Sequence, residues 1–385
     1  MGGLRAADTV NLLTEEVVVM RRLRSVALAG LICLAFLLSL MHLNTGHAQD
    51  KAQVLELKAA NFFPPPSRQS KIVEDFIADL EQRTEGKVKV RYFAGGSLLK
   101  ATTMMDGIEK GIADIGVSHI EYTAGRMPVM EAAELPLAYP TGWVANQIMG
   151  DFYLKFKPKE MDTVHCMWWH ANAPSVLHTT KPVRKLEDLK GLTIRAPGII
   201  GDVIKALGGT PVPMPAPETY DAMSKGVIQG AFMATEAAKN FRLAEVSKFM
   251  TNTWVVGPSY PFYTVINKNA YKKFSPEIRS IFDQLCGEYR ERNALMWNAI
   301  DFEGIAAAKA NKVEYIDLSK EENQRWEKAV EPVLEDYVKR MTSKGFAEAE
   351  VRGWIKWLRE RTAFLTQKQM DLGIKSVTGP PELRP

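Results

Sequence analysis

Cysteine is scarce in this chain of 385 residues, and its scarcity excludes a fold that disulfides hold together. The sequence has 3 cysteines. Cys33 lies in an apolar N-terminal run, which leaves Cys166 and Cys286 for the folded part. Small disulfide-built domains need a dense set of cysteines. We therefore expect two buried thiols, and a single disulfide between them is the alternative.

An excess of charge of one sign is also missing. The chain carries 49 Lys and Arg against 45 Asp and Glu, a formal net charge of +4. Proteins that bind nucleic acid cluster their basic residues on one face or along one helix. Because the charges here are balanced and spread along the chain, we expect no nucleic-acid partner.

The motifs of common enzyme classes are missing as well. The sequence has no G-x-S-x-G, no H-E-x-x-H, no P-loop and no G-x-G-x-x-G after the first strand. Cys166 has His165 and His170 nearby, but strand alternation places His165 on the opposite face from the other two. We expect no catalytic residue, cofactor or metal, and an exported enzyme on the same scaffold is the alternative.

A long membrane-spanning run is absent, and a shorter apolar run has the features of a signal peptide. The basic segment Met20–Arg24 precedes the apolar run Val26–Met41, and Gly46-His47-Ala48 is a small-x-small cleavage site. The run has about 16 residues, whereas a membrane span needs roughly 20. We expect a periplasmic protein beginning near Gln49. An uncleaved anchor is the alternative, and translation from Met1 or Met20 stays open.

What is present is a repeated strand–helix pattern. Strand, helix, strand, helix and strand follow one another within residues 54–118, and residues 164–233 repeat this style. Such an order predicts parallel sheets, whose ligands bind at the carboxyl ends of the strands. The candidate contacts at these ends are Phe62, His119, Trp169, Asn172, Arg195, Phe232 and Met233. A helix of about 35 residues after Ser275, roughly 50 Å long, is predicted to lie across two lobes.

Several separated blocks resemble the DctP-type periplasmic solute-binding proteins of TRAP transporters. The blocks are "GIEKGIADIGVS", "AAELPLAYP", "KPVRKLEDLKGLTIRAPG" and "ALGGTPVPMPAPETYDAMSKGVIQG", and the resemblance covers residues 54–340. It implies an α/β, two-lobed periplasmic binding protein (type II-like) with crossing strands and one long lobe-spanning helix. The expected segments are 1–48 (upstream segment and signal peptide), 53–172 with 258–300 (lobe I), 173–257 with 301–345 (lobe II) and 346–385 (C-terminal helix and tail).

The resemblance also implies a function and an anchor residue. Such proteins capture a small organic anion between their lobes and deliver it to a membrane permease, and the family's ligand-pairing arginine falls on Arg195. A guanidinium offers a rigid fork of donors that matches a carboxylate. The run Ala231–Ala234 departs from the family's polar pattern, because its asparagine contact falls on Met233. Sialic-acid binders of the family have a second ligand-binding arginine, and its position falls near Ser175, so this chain lacks it.

The loss of this asparagine and of this second arginine removes hydrogen-bonding groups from the pocket. It favours a partly aromatic pocket and a small, flat anion over a sugar acid. We add Trp254 and Tyr260 to the candidates, and we expect at most one of Trp168 and Trp169 to line the cleft. His119 is a candidate pH-sensitive donor to a carboxylate. Aromatic carboxylates, 2-oxo or 2-hydroxy acids and sulfonates stay open. A module that presents its ligand to a membrane sensor, and a binder of a neutral or cationic solute, are the alternatives.

The C-terminal helix carries an apolar stripe at helical spacing, formed by Val351, Trp354, Ile355 and Leu358. We expect the stripe to pack on its own domain and the protein to be a monomer. A homodimer through this helix is the alternative. The proline-rich end, "TGPPELRP", is predicted to be frayed.

Overall fold

The structure is a computed structural model, and it describes residues 54–385. The upstream segment and signal peptide expected within residues 1–48 lie outside the described residues. Between residues 54 and 385, no helix is both long enough and apolar enough to cross a membrane.

Strands of residues 54–385 form two mixed sheets. The strands are β1 (Leu55–Asn61), β2 (Val88–Phe93), β3 (Ile115–His119), β4 (Val164–Ala171), β5 (Val176–Thr179), β6 (Thr193–Arg195), β7 (Thr210–Val212), β8 (Gly230–Met233), β9 (Phe249–Asn252), β10 (Pro261–Asn267) and β11 (Glu314–Asp317). The first sheet has the order β2-β1-β3-β10-β4, and the second has the order β11-β9-β5-β8-β6-β7. Parallel pairing of β1 with β2 and β3 follows from the helical crossovers that connect them.

Helices cover the faces of both sheets. They are α1 (Arg68–Arg83), α2 (Met104–Glu109), α3 (Gly142–Phe156), α4 (Gly198–Ala206), α5 (Thr219–Ser224), α6 (Ala237–Asn240), α7 (Lys268–Lys272), α8 (Pro276–Ala310), α9 (Lys320–Ser343) and α10 (Glu348–Asp371). In α1, the buried residues Val73, Phe76, Ile77 and Leu80 recur at helical spacing. This apolar stripe packs α1 against the first lobe's core.

The chain passes between the two sheets more than once, which gives the two-lobed α/β fold. It leaves the first sheet after β4, forms β5 to β9 in the second, and returns to the first as β10. β10 runs antiparallel to both β3 and β4 because it enters from the opposite lobe. The residue boundaries of the two lobes given above stay a prediction, because the two sheets assign strands to lobes but do not define where the connecting segments divide.

The long helix α8 spans both lobes, as the sequence predicts. The Ser275 side chain accepts a hydrogen bond from the Ile278 amide, and Pro276 occupies the first helical position. The helix runs for 35 residues and packs on α1, α3 and β4 of the first lobe and on α6 of the second. Near its C-terminal end, Asp301 Oδ1 accepts a hydrogen bond from the Glu236 amide at 2.9 Å.

Both cysteines of the described chain are free thiols, in agreement with the expectation from their number. Cys286 is buried and Cys166 is half-buried. Burial raises the pKa of the Cys166 thiol to about 12, so it stays protonated at neutral pH.

The C-terminal segment packs on the rest of the chain through α10 and through its last residues. The apolar stripe of α10 is buried against α3 and α9. The prediction of a frayed end is wrong, because Leu383 is 1% exposed and the Thr378 hydroxyl donates to the Pro140 carbonyl at 2.9 Å. Contacts to the distant residue Pro140 hold this segment, and the local composition carries no signal of them.

Candidate functional site

A small cavity lies between the two lobes, at the ends of strands from both sheets. The first lobe contributes the aromatic rings of Phe62, Phe63, Tyr122 and Phe262. The crossing segments contribute Asn172 and Tyr260, and the second lobe contributes Arg195, Ala216, Met233, Glu236 and Phe241. The space open to the centre of a water molecule is only about 20 Å³, room for about one water.

The lobes are therefore in a closed arrangement, with direct hydrogen bonds between them. The Tyr122 hydroxyl of the first lobe accepts from the Ala216 amide of the second at 3.1 Å. Asn240 Nδ2 of the second lobe donates to Gln69 Oε1 of α1 at 3.1 Å. A ligand larger than a water molecule enters only when these contacts open, as in the hinge motions of two-lobed proteins.

Arg195 is the cation of this cavity, and its side chain is 0% exposed. It ends strand β6, which lies between β7 and β8 in the second sheet. The extended backbone of Pro197 follows, so the turn after the strand is held in place. Nε donates to the Met214 carbonyl at 3.0 Å, and Nη1 donates to the Tyr260 hydroxyl at 2.9 Å.

The third nitrogen of this guanidinium, Nη2, is buried without a hydrogen-bond partner. Within residues 54–385 Arg195 forms no salt bridge, and both of its hydrogen bonds go to neutral oxygens. A buried charge is costly unless a partner compensates it. The cavity wall thus presents a positive charge with one donor free for an anion.

Tyr260 fixes the position of the guanidinium. Its hydroxyl accepts from Arg195 and donates to the Phe232 carbonyl, and its ring lies 5.5 Å from the guanidinium carbon. Its own amide donates to Asn172 Oδ1 at 2.6 Å. Burial raises the pKa of the Tyr260 hydroxyl, so it stays protonated and can donate at all physiological pH values.

His119 lies behind the cavity wall and does not line it. Its ring packs on Tyr122, Tyr260 and Phe262, and Nε2 lies 3.1 Å from Glu134 Oε1. Burial, together with the charge of Arg195, holds the pKa of His119 well below its usual value. A neutral His119 therefore acts on the site only through the rings that it supports.

The structure brings Phe62, Asn172, Arg195, Met233 and Tyr260 together at the cavity. Besides His119, it places three further predicted residues elsewhere. Trp169 packs against Tyr153 and Tyr263, on the face of β4 opposite His170. The Phe232 side chain points away from Met233 by the same alternation, and only its carbonyl serves the site. Trp254 lines a separate surface groove beside Asp317.

Sequence reasoning missed Phe63, Phe262, Phe241 and Glu236. Phe62 and Phe63 directly follow β1, so the strand-end rule that selected the first could have found the second. Phe262 is one residue into β10, a strand for which no end contact was sought. Glu236 has the local sequence of an exposed helix, and no signal in the chain marks it as buried.

Within the described residues, no cluster of three or more His, Cys, Asp or Glu side chains could hold a metal ion. Two other buried histidines, His170 and His178, also lie in apolar surroundings that disfavour a charge. Burial lowers the pKa of His170 to about 3 and that of His178 to about 4. Each has a neutral partner, since His170 Nδ1 accepts from Trp297 and His178 Nε2 lies 3.1 Å from the Ala234 carbonyl.

The comparisons with known proteins agree with this geometry. The family described as bacterial extracellular solute-binding protein, family 7 (DctP) matches residues 59–340. The chain belongs to this family. The family match covers all eleven strands except the first four residues of β1, together with both walls of the cavity.

Individual relatives have the same fold over most of the chain. A TRAP periplasmic solute binding protein from Desulfovibrio salexigens is 32% identical, with a TM-score of 0.70 over 80% of this chain and 96% of its own. A marine metagenome TRAP solute binding protein specific for aromatic acid ligands is 25% identical, with a TM-score of 0.76 over 80% of this chain and 98% of its own. A solute-binding protein of Albidiferax ferrireducens is 26% identical over 68% of this chain and 76% of its own.

Proposed function

We propose that this protein is the extracytoplasmic receptor of a TRAP transporter and captures a small organic anion between its lobes. One observation carries the proposal: Arg195 is a fully buried cation whose Nη2 has no partner. A carboxylate accepts two parallel hydrogen bonds from a guanidinium and compensates its charge. In the proposed complex, Arg195 pairs with the ligand, Tyr260 positions Arg195, and Asn172 adds an amide donor.

The walls of the cavity favour an aromatic carboxylate within this class. Phe62, Phe63, Phe241 and Phe262 surround the space, and Met233 adds a soft apolar contact. Aromatic rings pack well in stacked or edge-on arrangements against such walls. The marine metagenome relative, described as specific for aromatic acid ligands, carries metahydroxyphenylacetate. A sugar acid with many hydroxyl groups would leave its hydroxyls without partners here.

The remaining parts of the proposal follow from the family. We place the mature protein in the periplasm after removal of an N-terminal signal peptide, and we expect it to deliver its ligand to membrane permease subunits. We expect it to bind and release the ligand unchanged, as the family's role in transport implies. It acts as a monomer, since the stripe of α10 is already buried on its own chain.

Titration calorimetry on the protein from Gln49 onward tests this function. The panel contains benzoate, phenylacetate, mandelate, pyruvate, a benzenesulfonate, glucuronate, and neutral and cationic analogues. We expect binding confined to anions, with aromatic carboxylates the tightest. Arg195→Ala should weaken that binding by about 2–5 kcal/mol, which is roughly thirtyfold or more, since one partner of a buried charge pair is lost.

The matched control is Arg352→Ala, which removes a guanidinium whose partners Glu335 and Glu348 lie on the surface. It should leave affinity unchanged, because exposed ion pairs contribute little. Arg195→Lys should bind more weakly than the wild type while keeping the charge, because it lacks the fork. Unchanged affinity in Arg195→Ala, or binding confined to neutral or cationic solutes, would overturn the proposed function.

A further inference from the structure

The cavity has a second ionisable wall, formed by Glu236. This residue follows β8 and immediately precedes α6, and it is 3% exposed. It lines the same small cavity as Arg195, but the two side chains do not form an ion pair with each other. The buried carboxyl group accepts from the neutral amide of Asn240 but has no cationic partner, and its place on the cavity makes a bound ligand a candidate for a further hydrogen bond.

Neighbouring groups hold Glu236 in place without neutralising it. Oε2 accepts from Asn240 Nδ2 at 2.7 Å, and Asp301 Oδ1 accepts the Glu236 amide at 2.9 Å. The nearby cations are engaged elsewhere, because Lys239 and Arg68 both pair with Glu303 on α8. Burial raises the pKa of the Glu236 carboxyl to about 7, as expected for an acid without a cationic partner.

The cavity therefore has a donor without an acceptor at one wall and an acid without a cation at another. Between them lie the rings of Phe62, Phe63 and Phe262. A ligand that complements all three has a carboxylate, an aromatic body and a hydrogen-bond donor away from the carboxylate. We propose that Glu236 accepts a hydrogen bond from a ligand hydroxyl, so that the receptor selects hydroxyl-substituted aromatic carboxylates. The inference rests on the proposed function, in which Arg195 binds the carboxylate.

A hydroxyl fits this wall better than an ammonium group. An ammonium group carries three donors and needs several acceptors, whereas a hydroxyl needs one. Asp301, the other acid nearby, does not line the cavity and already accepts from the Glu236 backbone. Glu236 thus offers a single carboxyl group, which matches a single hydroxyl donor.

The test compares ligands that differ only at one ring position. Calorimetry would measure benzoate, 3- and 4-hydroxybenzoate, the corresponding methoxybenzoates and the corresponding aminomethylbenzoates with wild-type protein. At pH 8, where the Glu236 carboxyl is ionised, we expect one hydroxybenzoate to bind roughly tenfold to a hundredfold tighter than benzoate, as for a hydrogen bond to a charged group. Its methoxy analogue should lose this gain, because it fills the same space and has no donor to give.

Glu236→Gln should reduce the hydroxyl preference to about threefold or less while benzoate still binds. The control is Glu303→Gln, an acid of α8 outside the cavity, which should keep the full preference. Equal binding of benzoate, hydroxybenzoate and methoxybenzoate by the wild type would overturn this inference and leave the proposed function standing. Tightest binding of an aminomethylbenzoate would overturn the hydroxyl assignment, and failure of every carboxylate would overturn both proposals.

Discussion

At the scale of single residues, the Tyr260 hydroxyl positions Arg195, the proposed ligand anchor. It receives Arg195 Nη1 and donates to the Phe232 carbonyl, so Tyr260→Phe leaves a buried donor and a buried acceptor unpaired. We expect a loss of about 1–3 kcal/mol in the free energy of unfolding. Affinity for the best carboxylate should fall about tenfold, because the guanidinium is no longer positioned. Chemical denaturation and calorimetry measure the two effects.

Tyr263→Phe is the control for this substitution. Tyr263 is a buried tyrosine of strand β10, three residues after Tyr260, and it does not line the cavity. It should lower stability without changing affinity. Wild-type affinity in Tyr260→Phe would mean that Met214 alone holds the guanidinium in place.

The residues of the site differ in how far the sequence could predict them. Arg195 could be predicted, since a cation at the end of an apolar strand before Ala-Pro is unusual and matches the family pattern. Trp169 and Phe232 could not be placed, because strand alternation says which neighbours share a face and not which face is the cavity. Glu236 could not be predicted, because its amide donates to Asp301 and its neighbour Asn240 donates to Gln69, and both partners are distant in sequence.

At the scale of elements, the start of helix α4 is a contact between the lobes. Gly198 has φ +52°, and a methyl group added there would lie 1.7 Å from Glu121 Oε2 of the first lobe. Gly198→Ala should therefore weaken ligand binding at least tenfold, because it separates the lobes in the closed arrangement. The left-handed backbone adds about 1–2 kcal/mol of strain to the folded state. Calorimetry with the best carboxylate checks the first effect, and denaturation checks the second.

Gly287→Ala provides the matched control within helix α8. An added methyl group at Gly287 meets no atom within 4 Å. Alanine is the better helix former, so this variant should gain about 0.5–1 kcal/mol of stability and keep wild-type affinity. Unchanged ligand affinity in Gly198→Ala would show that the lobes bind ligand without this contact.

At the scale of the whole molecule, the fold was predictable where the signals are local. Alternation and helical spacing predicted the strands β1–β4 and β6–β8, and the caps at Ser275 and Pro276 predicted where α8 begins. The strands β5, β9, β10 and β11 were not predicted. The packing of the C-terminal end was not predictable, since Thr378 and Leu383 are held by contacts with distant parts of the chain. For the cavity, the sequence predicted only that its residues lie at strand ends. Its aromatic walls could not be predicted, because they come from both lobes and meet only when the lobes close.

Buried ionisable groups of both kinds set how the stability of the whole molecule depends on pH. Burial lowers the pKa of His170 and His178 well below 6.5, so these residues remove stability as pH falls below 6.5. Burial raises the pKa of Glu236 and of Asp301, so these acids remove stability as pH rises above their ordinary values. The wild-type profile combines both effects, and only a comparison with a variant isolates one group.

The comparison of wild type with Glu236→Gln isolates the Glu236 carboxyl. Its pKa is about 7 in the folded protein against an ordinary value of 4.5, so unfolding releases its proton between these pH values. Stability contributed by this group therefore falls as pH rises from 4.5 to 7. Between pH 5.5 and 8, the wild type should lose about 2 kcal/mol relative to Glu236→Gln. Denaturation at several pH values measures this difference.

Glu303→Gln is the control, because Lys239 lowers the pKa of Glu303 and its difference from wild type should stay constant over this range. A constant difference for Glu236→Gln as well would mean that water or a cation reaches Glu236 in the closed cavity.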